Sequence, residues 1–418
     1  MKLELKGNLK SSFVLASKTR DLGVDRINIQ RDLRIDLFRG FALLFVFIDH
    51  FSEIASAAGL IGPHAFPLPT LRTITWTTAA EFFVFLSGYV AGMVYLRTFL
   101  DRGFWLCQLR ALHRAYQIAR ANLIVFLFIV FLLSLAWRLP PGMVTSLDIG
   151  FLRAAPMEAT RDFMLGRYAP EFTHVLWLYL PLILLVPFML RLLRYSRVAA
   201  FLLSAALYLT AQIFPRATLP MHSYRVSGAE PAWYFNPYAW QFLFFIGVTF
   251  GFRGGLRDIN LFRDRPRLAR GLVALVSASS AEKILLELSR VNAFGLGRWL
   301  YRLDLHGFTT GSLRPFRLAH FFLIFFLALS LTPTSEFLKR QKWLLPIIAC
   351  GQNSLAVFAT GIVLTVACVM VLAGLGGGYP LYIAAAVFGV AIQGLTGVLL
   401  QWMKSEPWRA VHPQRATA

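Results

Sequence analysis

The sequence predicts an all-α integral membrane protein, a polytopic bundle of about ten transmembrane helices. Three observations carry that prediction. Of the 418 residues, 57% are hydrophobic and only 15% charged, with a mean hydropathy of +0.59, so lipid must surround most of the chain. Apolar segments of about 18 to 25 residues recur along its whole length, each able to cross a hydrocarbon core about 30 Å thick. Basic residues gather in short clusters between those segments, as expected of cytoplasmic loops. Lipid offers the backbone no hydrogen-bond partner, so each segment closes its own bonds as a helix.

In chain order, residues 1–35 are polar and basic and form a cytoplasmic N-terminal segment. The apolar run that follows, 36–57, has no suitable small-residue cleavage site, so it is expected to stay as the first helix. The remaining spans are 75–96, 119–137, 173–190, 198–214, 237–252, 271–288, 318–332, 344–373 and 380–402. Together 36–402 make one transmembrane domain, and 403–418 a cytoplasmic tail. An even number of spans places both termini on one side. Arg97, Arg102, Arg110 and Arg114 in loop 97–118, Arg191, Arg194 and Arg197 in 191–197, the arginines of 253–270, and Lys339, Arg340 and Lys342 in 333–343 all fall on that side, which is therefore cytoplasmic.

Loop 138–172 balances Arg138, Arg153, Arg161 and Arg167 against Asp148, Glu158, Asp162 and Glu171, which suits the periplasm. Loop 289–317 breaks the rule with Arg290, Arg298, Arg302, Arg314 and Arg317. Either 271–288, which holds Glu282 and Lys283, does not span, or these arginines serve an anionic ligand.

The formal charge is +21, from 42 Lys+Arg against 21 Asp+Glu. The clustering of the cations between apolar runs points to anionic membrane lipids as their partners and excludes nucleic acid. Three cysteines, Cys107, Cys350 and Cys368, lack CxxC spacing, so no metal site and no disulfide framework is expected.

Ionisable groups inside apolar helices are costly to hold in lipid, which marks them as candidate functional residues. The first helix reads DLFRGFALLFVFIDHFSE and is the richest in them. Arg39 and His50 lie eleven residues apart, about three turns, so they share a face roughly 16 Å apart in height. Arg39 near the cytoplasmic surface suits the phosphates of a CoA donor. His50, deeper, suits a neutral imidazole that takes the proton from an attacking hydroxyl. Asp49 adjoins His50 in sequence but diverges from it by about 100° around the helix, whereas Glu53 at i+3 returns to the same face. The expected partner of His50 is Glu53 or an acid from another helix.

Glu81 in the second helix, AAEFFVFLSGYVAG, is expected to orient His50 or to contact substrate; the alternative is a charge that snorkels to the interface. Ser87-Gly88 in the same stretch permits close helix approach. His174 and Trp177 in THVLWLYLP, Asn236 and Gln241 in NPYAWQFLFFIG, and His320 in PFRLAHFFLIFF are candidate acceptor-binding groups. For the amides, interhelical hydrogen bonding is the competing reading.

RIDLFRGFALLFVFIDH followed by AAEFFVFLSGYVAG resembles the start of the OpgC family of membrane proteins, linked to succinylation of osmoregulated periplasmic glucans. NPYAWQFLFFIG, RPFRLAHF, CGQNSLAVF and LQWMKSEPW extend the resemblance over about residues 32 to 409. The Arg-x10-His spacing, FFVFLSGY and HVLWLYLPLILLVP are similar to the wider acyltransferase-3 superfamily. The resemblance implies an inner-membrane O-acyltransferase acting on a periplasmic glucan, with acyl-CoA, first of all succinyl-CoA, as donor and no permanently bound cofactor. It further implies His50 as catalytic residue, Arg39 at the donor site, and Arg110 and Arg114 as further contacts to the CoA phosphates. The competing classes are a multi-pass transporter or flippase for an acyl donor, lipid or glucan, and a catalytically silent membrane partner.

Overall fold

The computed structural model describes residues 32–62, 65–66, 68–135, 139–214, 217, 233–256, 259–290 and 311–408. These are helical with no strand among them. The first and third helices in chain order, α1 (Leu33–Ala57) and α3 (Ala79–Ser134), pack on each other and on most of the rest, with the short α2 (Leu71–Ile74) between them in sequence. Three short helices, α4 (Pro141–Ser146), α5 (Gly150–Ala154) and α6 (Pro156–Met164), lead to α7 (His174–Tyr195), α8 (Arg197–Ile213) and α9 (Pro237–Arg253). After α10 (Leu261–Asp264) come α11 (Pro266–Arg290), α12 (Pro315–Leu331), α13 (Ser335–Arg340), α14 (Leu345–Gln352), α15 (Ser354–Gly374) and α16 (Tyr379–Lys404).

Five of these, α1, α3, α7, α15 and α16, are long and apolar enough to cross a membrane, and α8 and α12 are shorter apolar helices. The protein is thus an all-α membrane protein.

Local sequence sets the ends of these helices. Asp32 caps α1 by accepting from the Arg34 amide at 3.0 Å, and Ser196 caps α8 through the Ala199 amide at 3.1 Å. Thr78 and Glu81 form a capping box at the start of α3, so the sequence T-A-A-E satisfies two orphan amides and begins the helix later than residue 75.

Loop 97–118 is helical, which differs from the reading of a basic loop between two spans. Gly103, at φ 81° and ψ 178°, is the only non-helical position in α3. Arms 79–102 and 104–134 fold back on each other there, since the Arg110 guanidinium bonds Thr98 and lies over the Tyr95 ring at 5.8 Å. Residues that far apart in an unbroken helix could not touch. A left-handed φ costs glycine nothing and any other residue strain, which explains why the turn falls on Gly103.

The expected single span 344–373 is likewise broken. Asn353 has non-helical φ/ψ between α14 and α15, and its amide donates to the carbonyls of Ala349 at 3.0 Å and Gly397 at 3.2 Å. The break turns the N-terminus of α15 into the interior.

Glycines set how closely the helices around this point pack. A Cβ on Gly351 would lie 1.8 Å from the Asp36 carbonyl oxygen, and one on Gly40 would lie 1.9 Å from that of Ile347. Only two glycines let α1 and α14 cross at this distance. Gly88 does the same for α3 against α9, where Phe244 is the neighbour, as its place in the sequence suggested.

Loop 138–172 packs a small core against α3. Phe126 and Phe163 stack at 4.0 Å, with Leu152, Ala159 and Tyr168 buried around them. Helix α11 covers the disputed span 271–288 but is not among the helices long and apolar enough to cross a membrane. It packs on α2 and α12, where Trp76 donates to Glu282 at 2.8 Å.

Candidate active site

Helix α1 carries polar groups at both ends of one face, and the helices around it build a different environment at each. At the Arg39 end, the guanidinium donates to Ser354 Oγ at 2.5 Å. That contact depends on the close α1/α14 crossing and on the break at Asn353, which exposes the first turn of α15. Gln352, just before the break, donates to Asp36 at 3.3 Å.

Two cavities flank Arg39. The first, of about 930 Å³, mixes Arg39, Arg97, Arg102 and Arg110 with Asp32, Asp36 and Asp101. The second, of about 760 Å³, is lined by Arg39, Arg110, Arg114, Arg120 and Lys404 and, among the described residues, by no carboxylate. Ser354, Leu355 and Ala356 at the start of α15 also line it, so the positive end of a helix dipole adds to the field. Permanent cations around a low-dielectric cavity focus potential on an anion inside it. Arg39, Arg110 and Arg114, expected at a donor site, are therefore brought together. Arg120, Lys404 and Ser354 were not foreseen, because they lie on elements that only the fold brings beside Arg39. Lys404 donates to Asn353 at 2.6 Å and so links the tail of α16 to the helix break.

His50 lies at the other end and lines neither cavity. Its ring packs on Phe172 with centroids 3.7 Å apart, and its Nδ1 is buried with no hydrogen-bond partner among the described residues. Phe172 adopts φ 72°, a strained backbone for a bulky residue. That conformation immediately precedes α7 and places the ring over the imidazole. The contact with Phe172 packs the His50 ring, and Glu53 acts on it through its charge.

Both acids beside His50 in sequence bond to groups from the following segment. Asp49 accepts from the Thr70 hydroxyl at 2.5 Å. Glu53, expected to orient His50, pairs with Arg72 at 2.6 Å and also acts on His50 through its charge. Helical spacing identified a shared face but could not anticipate a cation that α2 brings to that face. Arg72 lies in the field of Glu53, Asp49 and Tyr234, and Tyr234 in that of Glu171, Glu53, Arg72 and Arg317. A polar layer of alternating charge thus surrounds the His50 end.

Glu81 takes no part in positioning His50. It is fully buried, accepts from the Thr78 amide at 3.0 Å and hydroxyl at 2.6 Å, and pairs with Arg317. Nor does it snorkel. Arg317, read as a loop cation for an anionic ligand, lies inside α12 and is committed to this carboxylate. Arg290 has no described side chain, and Arg298 and Arg302 lie outside the described residues.

The candidate acceptor groups separate in the same way. His320 sits between Thr77 at 3.0 Å and Ser279 at 3.1 Å, one turn from Arg317. His174, the first residue of α7, lies 4.0 Å from Glu171. Trp177 packs edge-on to Phe163 at 5.6 Å against the small core of the loop helices, and its buried indole N–H has no hydrogen-bond partner among the described residues. Asn236 caps α9 through the Tyr238 amide at 2.9 Å. Gln241 joins α9 to α8, accepting from Ser204 Oγ at 2.7 Å and donating to the Ser204 carbonyl at 2.8 Å. For the two amides, structural hydrogen bonding is the role that the geometry assigns. Cys107, Cys350 and Cys368 are all buried and free.

A helical membrane bundle, with a cation-lined cavity and a half-buried histidine on opposite ends of one helix, is the class that these features define. The family model described as OpgC protein matches residues 31–405, and the chain belongs to that family. No curated protein and no solved structure matches it.

Proposed function

We propose that the protein is a membrane O-acyltransferase that takes an acyl group, first of all succinyl, from cytoplasmic acyl-CoA and places it on a hydroxyl of a periplasmic glucan. The observation that carries this reading is the cavity of Arg39, Arg110, Arg114, Arg120 and Lys404, with no carboxylate among its described lining residues, beside the helix that holds both Arg39 and His50. Membership of the OpgC family supports it.

In this mechanism the nucleotide phosphates of the donor sit among the cations, where guanidinium groups match phosphate geometry, and the thioester points along α1 toward His50. The acceptor hydroxyl enters from the opposite side. Its oxygen attacks the thioester carbonyl as His50 takes the hydroxyl proton. The tetrahedral intermediate collapses, the C–S bond breaks, and the imidazolium returns the proton to the departing thiolate. An ester and free CoA result, with no net change at His50. Phe172 packs the ring, Glu53 supplies a negative field that favours the imidazolium, and substrate contacts complete its alignment.

The test is mass spectrometry of periplasmic glucans from cells lacking the protein and supplied with wild type or His50→Ala at matched membrane levels. Wild type is expected to restore acyl-modified, more anionic glucans, and His50→Ala to lose at least 100-fold of that activity, the scale of a lost general base. Equal restoration by both would remove His50 from the mechanism. Unchanged glucans with wild type would reject the glucan as acceptor, and transfer of unmodified cargo would mark a transporter instead.

A further inference from the structure

The carboxylate-free cavity does not end at its cations. Its lining also includes apolar side chains, among them Phe83, Leu176 and Phe358, and the hydroxyl residues Ser87 and Tyr179. Tyr179 is 5% exposed, and its Oη makes no hydrogen bond of full geometry among the described residues; Ser87 acts on it through a hydrogen-bond contact and Arg39 through its charge. Buried hydroxyls in folded proteins are almost always satisfied, and leaving one unsatisfied costs about 1–3 kcal/mol. Phe83 and Phe244 pack edge-on to the ring at 5.7 and 6.2 Å, so the hydroxyl is held where it is rather than free to turn away.

Its position along the bundle is equally informative. Helix α7 begins two residues after Phe172, which lies on His50, and Tyr179 is the sixth residue of that helix, about 7.5 Å from its start. The hydroxyl also lies in the electrostatic range of Arg39. It therefore lies along α7 between the end that adjoins Phe172 and the field of Arg39, in a cavity whose lining also includes Phe83, Leu176, Ile183 and Phe358. A phosphate would not be drawn there. A neutral chain that carries an occasional amide would be.

We propose that Tyr179, faced by Ser87, is the subsite for an amide group of the pantetheine arm of a CoA donor, and so sets how far the thioester reaches toward His50. This rests on the acyl-CoA reading above and adds to it a residue and a segment of the donor. The tyrosine is a binding residue here and takes no proton in the reaction.

The experiment is calorimetric binding to the purified, full-length protein in lipid nanodiscs with two probes, coenzyme A and 3′-phospho-ADP, which carries the same phosphates without the arm. Tyr179→Phe is expected to weaken coenzyme A by roughly tenfold, the scale of one buried hydrogen bond, and to leave 3′-phospho-ADP unchanged. Arg114→Ala is expected to weaken both. Unchanged binding of the nucleotide by Tyr179→Phe also shows that its cavity is intact. Coenzyme A binding that Tyr179→Phe does not alter would overturn the subsite while leaving the donor reading in place, and so would equal loss of both probes. If wild type binds neither probe, the acyl-CoA reading itself fails, and the subsite with it.

Discussion

Glu81 and Arg317 show how little a residue type alone says about its role inside a membrane. The carboxylate is fully buried, closes the capping box of α3 and pairs with a cation from α12. Removing one partner leaves an uncompensated buried charge, at a cost of about 3–5 kcal/mol. Arg317→Leu is thus expected to lower the unfolding temperature in detergent markedly, and Glu81→Leu with Arg317→Leu to recover much of it. A single variant as stable as wild type would show that the pair does not hold α3 to α12. At this scale the spacing of Arg39 and His50 was legible, because both lie on one helix whose geometry is known. The company each keeps was not. Glu53 meets Arg72 and His50 meets Phe172, and in both cases the neighbour arrives from another element.

At the scale of elements, the cavity exists because two helices are interrupted. The turn at Gly103 folds α3 so that Arg110 lies beside Thr98, and the break at Asn353 brings Ser354 to Arg39. Hydropathy separates the spans on either side of the first, though it does not say where within 97–118 the turn falls, and it runs 344–373 through the second as one span. Gly351 ties the second of these to α1, because any side chain there would strike the Asp36 carbonyl. Gly351→Ala forces the helices apart, at about 1–3 kcal/mol for overpacking. Coenzyme A binding at the Arg39 end is expected to weaken at least fivefold, measured by calorimetry. Unaltered affinity would mean that the α1/α14 crossing does not set the position of Ser354.

Across the whole molecule, charge distribution orients the chain. The basic residues of loops 97–118 and 333–343 predict a cytoplasmic position, and the balanced loop 138–172 a periplasmic one. With all three native cysteines buried, single cysteines at exposed arginines report the topology. A membrane-impermeant maleimide on whole cells with an opened outer membrane is expected to label Arg153→Cys, and to label Arg340→Cys only after the inner membrane is permeabilised. The reverse pattern would invert the chain and place the cation-lined cavity outside, where no cytoplasmic donor could reach it.

The helical class, the membrane as solvent, the family and the Arg39–His50 face all follow from composition, periodicity and motif, which are properties of consecutive residues. Which cations face which acids, where helices break, and which polar groups do structural work are properties of residues far apart in the chain. Asn236 and Gln241 read as substrate contacts because a polar group at a helix end carries the same local signature whether it binds a ligand, caps a helix or joins two. Only the packing distinguishes these, since it decides whether a partner atom from another helix lies within hydrogen-bond reach.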